Sequence, residues 1–384
     1  MSLSSSTCPS FRQPERWLPP ATPLSKILAR SDDGGASGPP SANLTLLIFA
    51  DSVHRIGLAG FCHDAKGRLD RSGFATFAKS DVKGMPLLCR IAVQQARAGR
   101  RTLLRMLFVS NFGVPPDPPY HYKYAGSQAS TWYHAKDNVR RGNGTAAPTT
   151  LLERGTIRRF VRVLSLLQAA DLTPDVVLVA SALWDMARME ELGRGPGAWV
   201  PWVHVRGQSW PRSSRVEAWF PRNASISGDS STVNGVRATA MGGAFVTAWQ
   251  ANATRLLSAI REYVSRINPH SLVIWQANPT LSDFYSGAVG RFMQALNQAA
   301  QVAVNEVNAR LSTVATANFA SEPSSRSCNV AYYDVEALLR IGQSNKWWGT
   351  AVGYPICCQE GYGHLRPRVM STLYTNLLAG ILRT

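Results

Sequence analysis

A serine placed where a buried strand stops is positioned for nucleophilic chemistry, and Ser52 stands at such a place. Leu44 to Ala50 is a nearly unbroken apolar run that ends abruptly at Asp51-Ser52. A run of this length, rich in Leu and Ile, suits a strand buried on both faces of a parallel sheet. Ligands of such sheets bind outside the carboxyl ends of the strands, so the Ser52 hydroxyl would face a crevice. The competing assignment is a helix N-cap, which Asp and Ser favour; geometry and a base separate the two. Two further strand ends gather polar groups. Thr102 to Ser110 runs into Asn111-Phe112-Gly113, a loop that either supplies donors or simply turns the chain. Asp175 to Ala180 runs into Ser181-Ala182-Leu183-Trp184-Asp185-Met186-Ala187-Arg188.

The elements that must position these groups alternate along the chain. A short helix is expected over Val53 to Cys62. An amphipathic helix is expected over Lys83 to Gly99, with Leu87, Leu88, Ile91, Ala92 and Ala96 at helical spacing. A helix follows over Thr156 to Ala170, whose Ile157, Phe160, Val161, Leu164 and Leu167 share a face. Gly243 to Ile267 and Gly290 to Ser312 read as long helices, Ser271 to Gln276 and Val330 to Val335 as the fourth and fifth strands, and Arg368 to Leu382 as the closing helix. Strands alternating with helices imply one doubly wound α/β domain: three layers around a parallel sheet of about five strands. Residues 1–42, rich in Ser, Pro and Gly, read as a disordered tail before a domain spanning 43–384. Residues 117–150 read as a long surface loop. Residues 193–240 form an irregular insertion bearing Trp199, Trp202, Trp210 and Trp219, which either pin a loop to the domain or stack on sugar rings.

A net charge of +17 fits a solvated basic surface or a polyanionic partner: acidic polysaccharide, nucleic acid or anionic membrane. The one dense cluster is Arg97, Arg100, Arg101 and Arg105. With no zinc-finger spacing and no aromatic-basic signature, the sequence argues against nucleic acid. No apolar run reaches the ~18 residues of a membrane span. Cysteines at 8, 62, 89, 328, 357 and 358 form no CxxC pair, which argues against structural zinc, and nothing calls for a metal or organic cofactor. Four Asn-x-Ser/Thr tripeptides, at Asn43, Asn143, Asn223 and Asn252, and an even cysteine count favour the secretory pathway, either Golgi lumen or the cell exterior. Met1 to Thr7 lacks a signal-peptide pattern, which points to the cytoplasm or to a lost true start.

Three stretches together resemble a known family. Asp51-Ser52-Val53-His54-Arg55 resembles the nucleophile block of the SGNH/GDSL hydrolases, and more closely the "GDS-x-x-R" of the PC-esterase family. Ser181 to Arg188 is similar to that family's "N-S-x-L-W-D-x-x-R" block. Gly361-Tyr362-Gly363-His364 resembles its C-terminal "D-x-x-H" block. Relatives in that family include trichome-birefringence-like and sialate O-acetyltransferases. The order of the blocks covers nearly all of residues 44–384. The resemblance implies an SGNH, flavodoxin-like three-layer α/β/α fold and acyl transfer on a carbohydrate or other acyl ester. Ser52 would be the nucleophile and His364 its base, with no cofactor. Glu360, or alternatively Asp334, would orient His364. Ser52, Ser181, Asn111 and Gly113 would supply the oxyanion donors.

The sequence departs from the family pattern at three places. Ala50 stands for Gly, Ala180 for the oxyanion Asn, and Gly361 for the acid before the histidine. The alternative function is therefore a catalytically degenerate protein that binds an acidic glycan. Beneath the His364 loop, a disulfide from Cys357 or Cys358 to Cys328 is expected if the compartment is oxidising.

Overall fold

The computed structural model describes residues 11–15, 18, 24, 27, 43–70, 87–94, 101–111, 113–114, 156–181, 185, 230–233, 236–278, 287–317, 329–344 and 367–382. Among these, the strands are β1 (Asn43–Ala50), β2 (Arg68–Asp70), β3 (Leu87–Gln94), β4 (Arg101–Ser110), β5 (Val176–Val179), β6 (Ser230–Val233), β7 (Val236–Thr239), β8 (Leu272–Gln276) and β9 (Val330–Tyr333). The helices are α1 (Ser52–Asp64), α2 (Arg158–Ala169), α3 (Ala240–Ile267), α4 (Gly287–Ala317), α5 (Val335–Ser344) and α6 (Pro367–Leu382).

Seven strands form one sheet in the order β2-β3-β4-β1-β5-β8-β9, and β6 with β7 makes a separate hairpin. β4, β1, β5, β8 and β9 pair in parallel. β3 pairs antiparallel with both β4 and β2. The expected sheet of about five parallel strands is thus corrected to a mixed sheet of seven. The expected helix over Lys83 to Gly99 is corrected as well, since its centre is β3. Leu87, Cys89, Ile91 and Val93 alternate into the core with period 2, and that alternation prevails over the helical spacing of the same apolar set. Part of the expected irregular insertion, residues 230–233 and 236–239, is the β6–β7 hairpin. The rest of 193–240, with its tryptophans, lies outside the described residues, as do 117–150.

Strand alternation sorts the helices into two layers. Phe49 on β1 stacks edge-on with Phe160 of α2, and Trp275 on β8 with Trp249 of α3. Tyr332 on β9 donates to Asn297 O of α4. Those three side chains share one sheet face. On the other face Gln276 meets His54 of α1, and Tyr333 donates to Leu373 O of α6. The result is a three-layer α/β architecture, with apolar β1, β5 and β8 buried between the layers.

α1 and α6 touch at Gly57, where a Cβ would stand 2.6 Å from Met370 Cβ. Gly57→Ala is therefore expected to cost about 1–3 kcal/mol through forced separation of the two helices. The check is the urea midpoint, with Gly57→Ala/Met370→Ala recovering part of the loss. α6 is buried from Val369 through Ile381, because a stretch of the amino-terminal segment covers its outer side. Arg12 N donates to Gly380 O (3.1 Å), and Leu18 N donates to Asn376 Oδ1 (3.0 Å) while Asn376 Nδ2 returns a bond to Leu18 O (3.1 Å). Gln13 pairs with both backbone groups of Asp334, and Phe11 packs edge-on against Tyr333. Residues 11–15 and 18 therefore depart from the disordered tail expected over 1–42. Their apolar Phe11 and Leu18 supply the burial that Ser, Pro and Gly do not.

A disulfide joins Cys62 of α1 to Cys89 of β3. Cys8, Cys328, Cys357 and Cys358, with the pairing expected among the last three, lie outside the described residues. So do Asn143 and Asn223. Asn43 is exposed at the start of β1, whereas Asn252 is buried in α3 and accepts from Arg255, so the folded chain offers no acceptor at Asn252. Among the described residues, no helix is long and apolar enough to cross a membrane.

Candidate active site

In order of appearance, the five parallel strands lie 2-1-3-4-5 across the sheet. The order reverses at β1, where the chain leaves toward β4 on one side and returns to β5 on the other. Such a reversal opens a crevice at the carboxyl ends of the strands. β1 ends there at Ala50. Asp51 is buried, and Ser52 is the first residue of α1. The first N–H groups of a helix have no acceptor within it, so this end is electropositive and rich in donors.

The neighbouring strand ends close around this point. Asn111 N donates to Ala50 O (2.7 Å), carrying the β1–β4 pairing one step past the strands. The Asn111 amide reaches across the end of β1 and donates to Ala180 O after β5 (3.1 Å). Asn111 Oδ1 accepts the N–H of Gly113 (3.1 Å), an Asx-turn. Gly113 has φ 103°, a conformation that a side chain would strain. Its carbonyl accepts from Thr156 Oγ1 (3.2 Å), which fixes the loop to the start of α2.

Asp185 ties this loop to the corner after β5. Its Oδ1 accepts Val114 N–H (2.8 Å) and its Oδ2 accepts the Ser181 hydroxyl (2.5 Å). The carboxyl is fully buried, and burial pushes its pKa up to about 6 against the pull of Ser181, the Trp249 indole and Val114 N–H. Trp249 Nε1–H acts here by proximity, since it meets no hydrogen-bond geometry. The network continues outward. Asn278 Nδ2 donates to Ser181 O, and Asn278 is held at both backbone groups by the Asn297 amide of α4 (2.9 and 2.7 Å). One chain of hydrogen bonds thus runs across the rim from β4 past β1 and β5 to β8.

Beneath the first turn of α1 lies a second buried set. Tyr374 of α6 donates its hydroxyl to His54 O (3.2 Å), so its oxygen accepts from His54 Nδ1–H (3.1 Å). Nε2 then accepts from the Gln276 amide of β8 (3.2 Å). These partners assign the tautomer and satisfy a neutral imidazole at both nitrogens. Burial pushes the pKa of His54 down to about 3. Burial, and then the charge of Asp51, raise Tyr374 well above the usual phenol range.

Of the residues expected to act, the structure gathers Ser52 at the head of α1 with Asn111, Gly113 and Ser181 at one rim. Gly113 N–H and the Ser181 hydroxyl are already taken by Asn111 and Asp185. The Asn111 amide keeps one further N–H beyond its bond to Ala180. Asp334 stands elsewhere. It ends β9, three strand spacings from β1 or about 14 Å, and caps α5 through Ala337 N–H (2.9 Å). His364, Glu360 and Gly361 lie outside the described residues. The sequence reading did not select Asp185, His54, Gln276, Asn278 or Tyr374. Asp185 carried a signal in the Trp184-Asp185 pair of the middle block, and His54 in its place two residues after Ser52. Comparison with protein-family models, curated proteins and solved structures returned no match to this chain.

Proposed function

We propose that the protein is a serine-dependent O-acyl esterase or O-acetyltransferase of the SGNH type, acting on a carbohydrate ester through Ser52 and His364. The observation that carries this reading is the position of Ser52. It follows the central strand at the reversal of strand order, opens a helix, and is flanked by the Asn111 loop and the Ser181 corner. The Ser52 oxygen attacks the ester carbonyl while His364 takes its proton, with Glu360 behind the ring as orienting acid. The oxyanion is met by the first N–H groups of α1 and the remaining Asn111 N–H. The intermediate collapses, and the leaving alcohol takes the proton back from His364. Water then attacks the acyl-enzyme in an esterase, or a sugar hydroxyl in a transferase. The Cys62–Cys89 disulfide supports a secretory lumen as the setting.

A second reading, glycan binding without turnover, is favoured by the internal bonds of Ser181 and Gly113 and by Gly361 in the acid's place. Fluorophosphonate labelling decides between them. Labelling of the wild type, lost in Ser52→Ala and His364→Ala, is the expected result. A folded wild type that takes no label would overturn the enzyme reading.

A further inference from the structure

A strand at the edge of a sheet carries a row of backbone N–H and C=O groups with no ladder to join, and such a row is a template for pairing with another chain. Among the described residues β9 is the last strand on its side of the sheet. Its backbone groups alternate in direction. Tyr333 O accepts from Ala277 N (3.0 Å), just past β8, so Ala331 and Tyr333 face β8 while Val330, Tyr332 and Asp334 face outward. Two of these three outward positions are each held by one carboxamide. Val330 N–H donates to Asn308 Oδ1 (2.8 Å), and Val330 O accepts from Asn308 Nδ2 (2.8 Å). Asp334 N–H donates to Gln13 Oε1 (3.1 Å), and Asp334 O accepts from Gln13 Nε2 (2.9 Å). Each amide thus makes the donor-and-acceptor pair that a residue of a neighbouring strand would make. The two arrive from opposite layers. Asn308 belongs to α4, on the side of Tyr332. Gln13 belongs to the amino-terminal stretch that packs through Phe11 on Tyr333, on the side of α6.

We propose that Asn308 and Gln13 form a carboxamide cap that keeps β9 from antiparallel pairing with a second copy of this chain. One amide on one backbone position is a local anchor. Two amides with the same bonding, on alternate outward positions of one edge strand, reproduce a strand's own pattern. The outward positions are also self-complementary, which is why the excluded partner is a second copy. About a two-fold axis at Tyr332, an antiparallel copy would set Tyr332 opposite Tyr332 and Val330 opposite Asp334, with every outward N–H and C=O exchanged. The groups of Val330 and Asp334 that such pairing needs are the ones the carboxamides occupy. Cap and partner therefore compete for the same sites. The cap is contributed in part by a segment more than three hundred residues away in sequence, so undocking of the amino-terminal stretch is the step that would open the edge.

The test uses the full chain. In Q13M/N308L the side chains keep their size and lose the amide, so both outward positions are released. Sedimentation across a dilution series should show a reversible dimer at least about 10-fold tighter than any the wild type forms, because the cap no longer competes for the same backbone groups. Adding Tyr332→Pro removes the outward N–H at the centre of the edge and leaves the β8 ladder whole; the gain should then vanish. Adding Tyr332→Phe instead drops only the bond to Asn297 O and should leave the gain intact. No gain in a folded Q13M/N308L, or a gain that survives Tyr332→Pro, would overturn the proposal. Should the double variant not fold, Gln13→Met alone is read by hydrogen exchange and sedimentation together. Asp334 N–H should lose at least about 10-fold of its protection and the dimer should tighten about 3-fold, while Ala337 N–H, bonded to Asp334 Oδ1, keeps its protection; an unchanged dimer would count against the cap. β9 stands three strand spacings from β1, so Ser52→Ala should alter none of these results, which separates them from the fate of the acyl-transfer reading.

Discussion

Acidification is expected to destabilise the protein through His54. The folded pKa of about 3 lies below the ordinary value of 6.5. The unfolded chain therefore takes up the proton first as pH falls. The His54 contribution to stability is full above pH 6.5 and drains away between 6.5 and about 3. By the lower limit the loss approaches 5 kcal/mol, at about 1.4 kcal/mol per pH unit. The cause is local. A protonated ring would sit fully buried with its new Nε2–H facing the Gln276 amide N–H, and among the described residues no carboxylate accepts from either nitrogen. Urea midpoints measured across this range for the wild type and for His54→Gln give the check. The wild type should be less stable at pH 3 than at pH 7, whereas the variant should gain stability as pH falls from 6 to 4, where the Asp185 carboxyl takes up its proton. Equal slopes would mean that the acid sensitivity resides elsewhere.

Asp185→Asn is expected to give a more stable and less active protein. Here the sign is reversed. The folded pKa of about 6 lies above the ordinary value of 3.8, so the folded state holds its proton longer. The Asp185 contribution to stability is greatest below pH 3.8 and is lost as pH rises through 6, leaving a cost of about 3 kcal/mol at neutral pH. Asparagine keeps the volume and can still accept Val114 N–H. It forfeits the charge-assisted bond from Ser181, worth about 1.5–3 kcal/mol. A net gain of up to about 1.5 kcal/mol at pH 8 follows, together with loss of this pH dependence. On the acyl-transfer reading proposed above, ester hydrolysis should fall about 10- to 100-fold, because the corners after β4 and β5 lose the group that holds both in register. A variant less stable than the wild type at pH 8 would show that the ionised carboxyl is no burden. Between pH 6 and 4 the two groups oppose one another with nearly equal slopes, so the stability of the wild type should change little there and fall chiefly below pH 4.

These expectations rest on features of unequal visibility in the sequence. The runs that became β1, β4, β5, β8 and β9 are mostly apolar, because strands largely buried on both faces leave little ambiguity of face. β3 was misread because Leu87, Leu88, Ile91 and Ala92 satisfy a helical spacing while Leu87, Cys89, Ile91 and Val93 satisfy a strand. The choice between them is made by pairing with β4, which no local pattern carries. The place of Ser52 and of the Asn111 and Ser181 turns was legible from where each strand ended. The partners of Asp185, from Ser181 four residues away to Val114 seventy-one away, were not. Nor was the capping of β9, since Gln13 and Asn308 meet its edge only once the chain is folded. The covering of α6 by Phe11 and Leu18 was hidden by the Ser, Pro and Gly around them.

That covering also sets a timetable for folding. Leu18 bonds to Asn376 across 358 residues, and His54 to Tyr374 across 320. At roughly 5–20 residues per second, α1 leaves the ribosome tens of seconds before α6 arrives to bury it. During that wait the apolar side of α1 has only nearer segments to lean on, and the Cys62–Cys89 bond, closing a separation of 27, is the covalent tether available to it. Contacts this distant in sequence slow the search for the native state. The helix that presents Ser52 thus gains its last support only after synthesis, and in a chain shortened before Pro367 it would be left without that support, a target for chaperones and proteases.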